Sequence, residues 1–211
     1  MSSQQVKSKQ RVADHGEVFT NEREVKAMVD LVWENFTNDA QKIEATFLEP
    51  ACGSGNFLVE ILNRKLAFVK KEKSRIEYEK SLIKAVCSIY GVELLEDNAQ
   101  ECRERLFQLI KKAYLKKYQD EDRYPKMLQS MQYILHTNII CGNAMDYTTT
   151  DGEAIEFTDW KLQSDGMVIR NFFDFRKLNN KKGGMESLFS ELMKPDPPPP
   201  MHYLEIGVTA P

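Results

Sequence analysis

The sequence predicts an α/β fold with three parallel strands in the order 3-2-1, helices on both sides of them and a β-hairpin after residue 150. Three short apolar runs, 45–48, 86–94 and 139–141, alternate with longer segments whose apolar residues recur at helical spacing. The first run leads through Gly53 and Gly55 into a helix. Right-handed crossovers between consecutive parallel strands give the order 3-2-1.

The composition suits one domain that can bury a core, because the chain has 211 residues of which 42% are hydrophobic. No apolar run is long enough to cross a membrane. The cysteines have no paired metal spacing, which favours reduced, buried thiols in a cytoplasmic protein. The formal net charge is -3. The basic surplus of a self-sufficient DNA-binding enzyme is therefore absent.

Residues 1–14 are polar, and we expect them to be mobile. Thr20 is a candidate N-cap for the next helix, with Glu22 in its first turn. That helix presents one continuous apolar face, formed by Val25, Met28, Val29, Val32, Trp33 and Phe36.

The glycine turn after the first strand is typical of a ligand site or of a structural tight turn. Gly53 and Gly55 lack a Cβ, so a ligand can approach their amides at a helix N-terminus, where an anion is favoured. Glu49 adds an acceptor for an amine or a hydroxyl. Together these groups suit a ligand that carries both an ammonium and a carboxylate, such as S-adenosylmethionine.

Polar residues end the second and third strands. Glu93 is placed to accept both ribose hydroxyls of an adenosine, although a surface glutamate is the alternative. Asp97 or Asn98 can begin the helix that follows. The Asn143 amide can pair with an adenine edge, and Asp146 is a weaker candidate. The charged segment 70–86 is typical of a solvated helix face, and DNA contact is the alternative there.

Four strings together resemble the cofactor motifs of adenine-specific (N6) DNA methyltransferases of restriction-modification systems. They are EPACGSGNFL at 49–58, GVELLEDNAQECRERL at 91–106, GNAMD at 142–146 and GEVFT at 16–20. GEVFT precedes the glycine turn, which resembles the gamma order of the family. The resemblance covers about residues 15–147 and implies a partial Rossmann-like, S-adenosylmethionine-dependent methyltransferase fold. It implies that Leu94 packs against the adenine ring. The implied cofactor-binding residues are Val18, Phe19, Thr20, Glu49, Pro50, Ala51, Cys52, Gly53, Gly55, Phe57, Glu93, Leu94, Asn143 and Ala144.

The catalytic string of that family, Asn or Asp followed by two prolines and an aromatic residue, does not occur in the sequence. Asp196 is followed by prolines, but Pro199 stands in the aromatic position and cannot stack on a base, so we reject this candidate. No metal site is expected. Residues 148–211 should form a hairpin around 163–166, a short amphipathic piece at 185–193 and an extended, proline-rich tail.

We therefore expect the cofactor-binding part of a DNA adenine methyltransferase that is inactive alone, as a fragment or one part of a split enzyme. The expected partners are double-stranded DNA, bound through regions absent here, and a second copy or the remaining methyltransferase or specificity chain. The free edge of the first strand should be covered by a dimer contact or by residues 201–208. The alternatives are a methyltransferase of RNA or protein with a divergent catalytic loop, and a non-catalytic interaction module.

Overall fold

The computed structural model describes residues 7–15, 17–119, 122–180 and 197–207. The helices are α1 (Lys9–His15), α2 (Glu22–Trp33), α3 (Asp39–Glu44), α4 (Asn56–Val69), α5 (Arg75–Cys87), α6 (Glu96–Leu115) and α7 (Arg123–Asn138), with a 3-10 helix at Phe175–Asn180. The strands are β1 (Phe47–Glu49), β2 (Ile89–Glu93), β3 (Ile139–Asn143), β4 (Thr148–Thr149), β5 (Glu156–Leu162), β6 (Met167–Asp174) and β7 (Met201–His202). Among these helices none is long and apolar enough to cross a membrane.

The central sheet has the order β1-β2-β3-β4, and its first three strands are parallel. The predicted α/β class and the order 3-2-1 are therefore confirmed. Strand β4 was not predicted; it runs antiparallel to β3. Within the described ranges β1 pairs only with β2, so its other edge is free, as expected.

The two faces of the sheet are covered by different layers. Phe47, Ile89 and Ile139 belong to a core cluster to which α2 to α7 contribute. On the opposite face, Tyr90 and Val92 pack with Phe157 and Phe173 of the hairpin, in a cluster that contains no residue of α1 to α7. The prediction of helices on both sides is therefore wrong. Strand side chains alternate between faces, and the hairpin supplies the second apolar layer.

The hairpin is confirmed, since β5 and β6 pair antiparallel from Glu156↔Asp174 to Leu162↔Val168. The tail was one of the two candidates to cover the free edge of β1, the other being a dimer contact, and the prediction for the tail is wrong. Strand β7 instead pairs with β6, through Met167↔His202 and Val168↔Met201. Tyr203 and Ile206 are buried beyond it. The predicted piece at 185–193 lies outside the described residues.

Several predicted boundaries move. The N-cap of α2 is Asn21, whose side chain accepts from the Glu24 amide, and not Thr20. Strand β1 begins at Phe47 and not at residue 45. Strand β2 begins at Ile89, because Val86 and Cys87 are the buried end of α5 and not strand residues. The apolar face of α2 is only partly packed: Val25 and Val29 are buried, but Met28 and Val32 are exposed.

The polar N-terminal segment contains α1, where no regular structure was expected. The Ser8 hydroxyl accepts from the Arg11 amide at 3.1 Å and begins the helix. A seven-residue helix is marginal in water by itself. Charged groups join it to α6: Lys7 pairs with Glu101 at 2.8 Å and Arg11 with Asp97 at 2.7 Å. Binary patterning missed these contacts because they are polar.

Candidate functional site

A cleft of about 760 Å³ lies at the carboxyl ends of β1, β2 and β3. Carboxyl ends of parallel strands meet at one edge of a sheet, which is where ligands bind in open α/β folds. Each strand contributes the residues that follow it, and residues 17–20 form a further wall. The lining residues are Glu17, Val18, Phe19, Thr20, Leu48, Pro50, Ala51, Cys52, Gly53, Asn56, Phe57, Glu93, Leu94, Leu95, Asn98, Gly142, Asn143, Ala144, Met145, Tyr147 and Phe175.

Twelve of the fourteen residues predicted for the site line this cleft, and Glu49 and Gly55 do not. Glu49 accepts a hydrogen bond from the Ala51 amide at 3.3 Å. Burial raises the pKa of Glu49, and the bond from Ala51 opposes that effect. Asn98 was predicted only as a helix start, and Glu17 and Asn56 were not among the predicted site residues. The one sequence feature that could have predicted Glu17 as a site residue is its place in the GEVFT string.

The glycine turn is shaped by close contacts. Gly53 has φ +53 and Gly55 has φ +89, in the left-handed region that favours glycine. A Cβ on Gly53 would lie 3.1 Å from the Phe19 ring. A Cβ on Gly55 would lie 2.6 Å from the Cys102 sulfur. Gly55 is thus required for packing the turn against α6, whereas Gly53 lies on the cleft wall.

Three amides of this turn donate within the chain. The Cys52 amide donates to the Val92 carbonyl at 2.9 Å, and the Gly55 amide to the Cys52 carbonyl at 2.8 Å. The Gly53 amide donates to Glu93 Oε2 at 2.8 Å. The expectation that Gly53 and Gly55 offer their amides to a ligand anion is therefore wrong for this conformation. A carboxylate of the protein itself takes the anion's place at Gly53.

Glu93, at the end of β2, is 8% exposed and holds the cleft wall together. Besides Gly53, its carboxylate accepts from the Leu95 amide at 3.1 Å and from Asn98 Nδ2 at 3.3 Å. Asn98 lies in the first turn of α6 and is 1% exposed. Glu93 is thus fixed by both the glycine turn and the following helix before any ligand binds.

A second carboxylate, Glu17, lies beside the first. Asn98 Nδ2 donates to Glu17 Oε1 at 2.6 Å as well as to Glu93. Arg11 donates to both Glu17 oxygens at 2.7 Å. These bonds from Arg11 are the main reason that the pKa of Glu17 is lowered, so it is ionised at neutral pH. The neighbourhood of Glu93 therefore holds two acids.

The loop after β3 brings Asn143 to the cleft with its amide partly engaged. Asn143 Oδ1 accepts from the Met145 amide at 2.9 Å, and Nδ2 donates to Asp146 at 2.7 Å. Each end of the amide keeps one further hydrogen-bonding site. Asp146 orients the Asn143 amide through this hydrogen bond, and it does not line the cleft itself. The loop closes with Tyr147 at φ 59, its ring 5.1 Å from that of Phe175.

The cleft surface combines acids with exposed apolar side chains. Its lining contains Glu17 and Glu93 but no lysine, arginine or histidine. Val18, Leu94 and Met145, also in the lining, are exposed large hydrophobic residues. Two carboxylates favour hydroxyl or cationic donors and oppose a phosphate, and exposed apolar side chains suit a planar ring.

The part of the chain that the structure describes contains no group of three or more His, Cys, Asp or Glu side chains that could hold a metal ion. Comparison of the chain with protein-family models, curated proteins and solved structures found no match. The cleft and the sequence motifs around it are therefore the features that bear on function.

Proposed function

We propose that this chain binds S-adenosylmethionine and forms the cofactor-binding part of a DNA adenine-N6 methyltransferase of the restriction-modification type. The observation that carries the proposal is the cleft at the carboxyl ends of the three parallel strands, lined by two carboxylates and by no cationic side chain. The four motifs that resemble the family's cofactor motifs all contribute residues to this cleft.

The charge of the cleft favours S-adenosylmethionine over a diphosphate cofactor. NAD and ATP bring negative charges that would meet Glu17 and Glu93, and the Gly53 amide already donates to Glu93. S-adenosylmethionine has no phosphate, and its sulfonium and ammonium groups are positive. Opposite charges attract strongly in a partly desolvated cleft. When bound, the cofactor supplies an electrophilic methyl group on its sulfonium.

The donor set fits the parts of this ligand. Glu93 and Glu17 provide acceptors for hydroxyl groups, and Leu94 provides an exposed apolar surface for an adenine ring. Asn143 keeps a donor and an acceptor that suit the adenine edge. The cleft volume of about 760 Å³ lies within the range of ligand sites.

The acceptor of the methyl group is proposed from the resemblance. It implies DNA adenine, reached by base flipping with residues that this chain does not encode. The proposed partners are accordingly double-stranded DNA and a chain that supplies the catalytic residues. An RNA or protein acceptor would leave the cofactor site unchanged.

Isothermal titration calorimetry tests cofactor binding directly. The purified chain is titrated with S-adenosylhomocysteine, ATP and NAD, and we expect S-adenosylhomocysteine to bind at least about tenfold more tightly than the two phosphate ligands. Glu96→Ala serves as a control, because Glu96 lies near the cleft but pairs with Arg103 on the outside of α6. Equal affinity for ATP would overturn the charge argument. No binding of any of the three would favour an interaction module that binds no cofactor.

A further inference from the structure

The hydrogen bonds around Glu93 limit how it can hold a ribose; this inference rests on the proposed function. An ionised carboxylate has about four lone-pair sites. Glu93 Oε1 accepts from the Leu95 amide and from Asn98 Nδ2, and Oε2 accepts from the Gly53 amide. One site remains, on Oε2. A ribose diol presents two hydroxyl donors, so Glu93 alone cannot accept both in the way the sequence suggested.

Three of the four lone-pair sites of the Glu17 carboxylate are likewise taken by hydrogen bonds. Its Oε1 accepts from Arg11 Nη2 and from Asn98 Nδ2, and its Oε2 accepts from Arg11 Nε. One lone-pair site again remains on Oε2. The Glu17 side chain is 7% exposed and lines the same cleft as Glu93. Each acid can therefore take one hydroxyl.

Asn98 keeps the two acids side by side. Its Oδ1 accepts from Lys7 Nζ at 2.6 Å, which sets the orientation of the amide. Its Nδ2 consequently faces the acids and donates to Glu17 at 2.6 Å and to Glu93 at 3.3 Å. One buried amide nitrogen thus fixes the separation of the two carboxylates. The bridge holds the Oε1 atoms of the two acids together, and the open site of each acid lies on its Oε2 in the same cleft. The pair therefore offers one acceptor to each of the two hydroxyls of a ribose diol.

We propose that Glu17 and Glu93 share the ribose diol of the bound nucleoside, each accepting one hydroxyl. Glu17 is then a specificity-determining residue for ribose. It is positioned by Arg11 and Asn98, and these contacts make the N-terminal segment part of the binding site. Glu93 provides the second half of the pair.

The test uses S-adenosylhomocysteine and its 2′-deoxy and 3′-deoxy analogues, titrated into the full chain and into Glu17→Gln and Glu93→Gln. Each substitution should weaken binding of S-adenosylhomocysteine about tenfold. With the monodeoxy analogues we expect a crossed pattern. One substitution should have little further effect on the 2′-deoxy ligand, and the other should have little further effect on the 3′-deoxy ligand.

Asp97→Asn is the matched control, because it removes an Arg11 partner and leaves both cleft acids in place. It should change the affinity of all three ligands by one common factor. If Glu17→Gln also acts by one common factor, or has no effect, Glu17 does not bind the diol and the inference is wrong. The proposed cofactor function would survive that result. If the unsubstituted chain binds none of the ligands, both proposals fail.

Discussion

The Gly53 amide donates a hydrogen bond to Glu93 at 2.8 Å, across 40 residues of sequence. The bond joins the turn after β1 to the end of β2. It also occupies the position at which an external anion would bind to the turn. Glu93 therefore holds the cleft wall and lines the cleft at the same time.

Replacing Glu93 with alanine should lower both stability and affinity. The Gly53 amide, the Leu95 amide and Asn98 lose an acceptor in a buried setting, which we expect to cost about 2–4 kcal/mol in the free energy of unfolding. Affinity for S-adenosylhomocysteine should fall at least roughly tenfold. Urea denaturation and calorimetry measure the two effects. Glu93→Gln keeps one acceptor oxygen and should cost less stability. Unchanged affinity in Glu93→Ala would remove Glu93 from the site.

Gly55→Ala should destabilise the chain more than a glycine substitution at an open position. The added Cβ would lie 2.6 Å from the Cys102 sulfur, and φ is +89. We expect a cost of about 2–4 kcal/mol from strain and overpacking together. Gly152→Ala is the control, because Gly152 has φ +84 and nothing within 4 Å of an added Cβ. It should cost about 1–2 kcal/mol. Equal costs in denaturant melts would show that the Cys102 contact relaxes freely.

Glu79 ties α5 and α7 to the tail. Its buried carboxylate accepts from Arg123 at 2.7 Å, from Tyr114 at 2.6 Å and from Tyr203 at 2.8 Å. Burial raises the pKa of Glu79, but these bonds and that from Arg75 outweigh burial, so the pKa is lowered overall. The stabilisation is therefore present above the unfolded pKa of about 4.3 and is lost as pH falls through the folded pKa.

Replacing Glu79 with alanine should cost about 3–5 kcal/mol at neutral pH, because buried arginine and tyrosine groups lose their acceptor. Tyr203→Phe should cost about 1 kcal/mol. Asp39→Asn provides the control, since the Asp39–Lys71 pair is more than half exposed and should contribute less than about 1 kcal/mol. Chemical denaturation compares the three variants. A cost for Glu79→Ala no greater than that for Asp39→Asn would contradict the network's role.

Lys65 is a fully buried lysine whose ammonium donates to the carbonyls of Ile43 and Ala45 and to the Ser88 hydroxyl, at 2.6–2.9 Å. Burial lowers its pKa to about 7. Between that value and the unfolded pKa of about 10.4, the unfolded chain binds the extra proton, so stability should rise with pH. The rise attributable to Lys65 should be roughly 1–3 kcal/mol from about pH 7 to about pH 9.5.

The measurement compares the unsubstituted chain with Lys65→Met over that pH range, because other lysines titrate in both proteins and cancel in the difference. Lys65→Met removes the donor from three buried acceptors, so this variant should be less stable. Its free energy of unfolding should also lack the rise with pH that is due to Lys65. Parallel pH profiles for the two proteins would show that Lys65 keeps an ordinary pKa.

The chain by itself should transfer no methyl group to DNA. Its sequence lacks Asn or Asp followed by two prolines and an aromatic residue, the string that the resemblance implies for accepting the amino protons and holding a flipped adenine. Incubation with labelled S-adenosylmethionine and unmethylated DNA should give background counts. RNA and unrelated protein acceptors test the alternative substrates. Turnover abolished by Asp196→Ala would show that Asp196, which lies outside the described residues, and the prolines after it form a catalytic loop after all.

Local patterns in the sequence determined the parallel strands, their order, the hairpin and most of the cleft lining. Apolar periodicity and glycine turns depend on neighbours within a few residues, and right-handed crossovers restrict the strand order. The motifs at the carboxyl ends of the predicted strands consequently placed the candidate site at one edge of the sheet. The prediction of Thr20 as the N-cap of α2 is wrong, because the side chain of Asn21, the next residue, accepts from the Glu24 amide at that helix end.

Only the tertiary structure decided which layer covers each face of the sheet, where the tail packs and which polar groups remain open to a ligand. The side chains of Tyr90 and Val92 can be buried under a helix or under a hairpin, so their sequence does not specify the covering layer. Glu93 looks like an open acceptor in the sequence, but Gly53, Leu95 and Asn98 occupy three of its lone-pair sites. Glu17 becomes a partner of Glu93 only because Asn98, 81 residues away from it, bridges the two. Such contacts form between side chains far apart in the chain, and no local pattern records them.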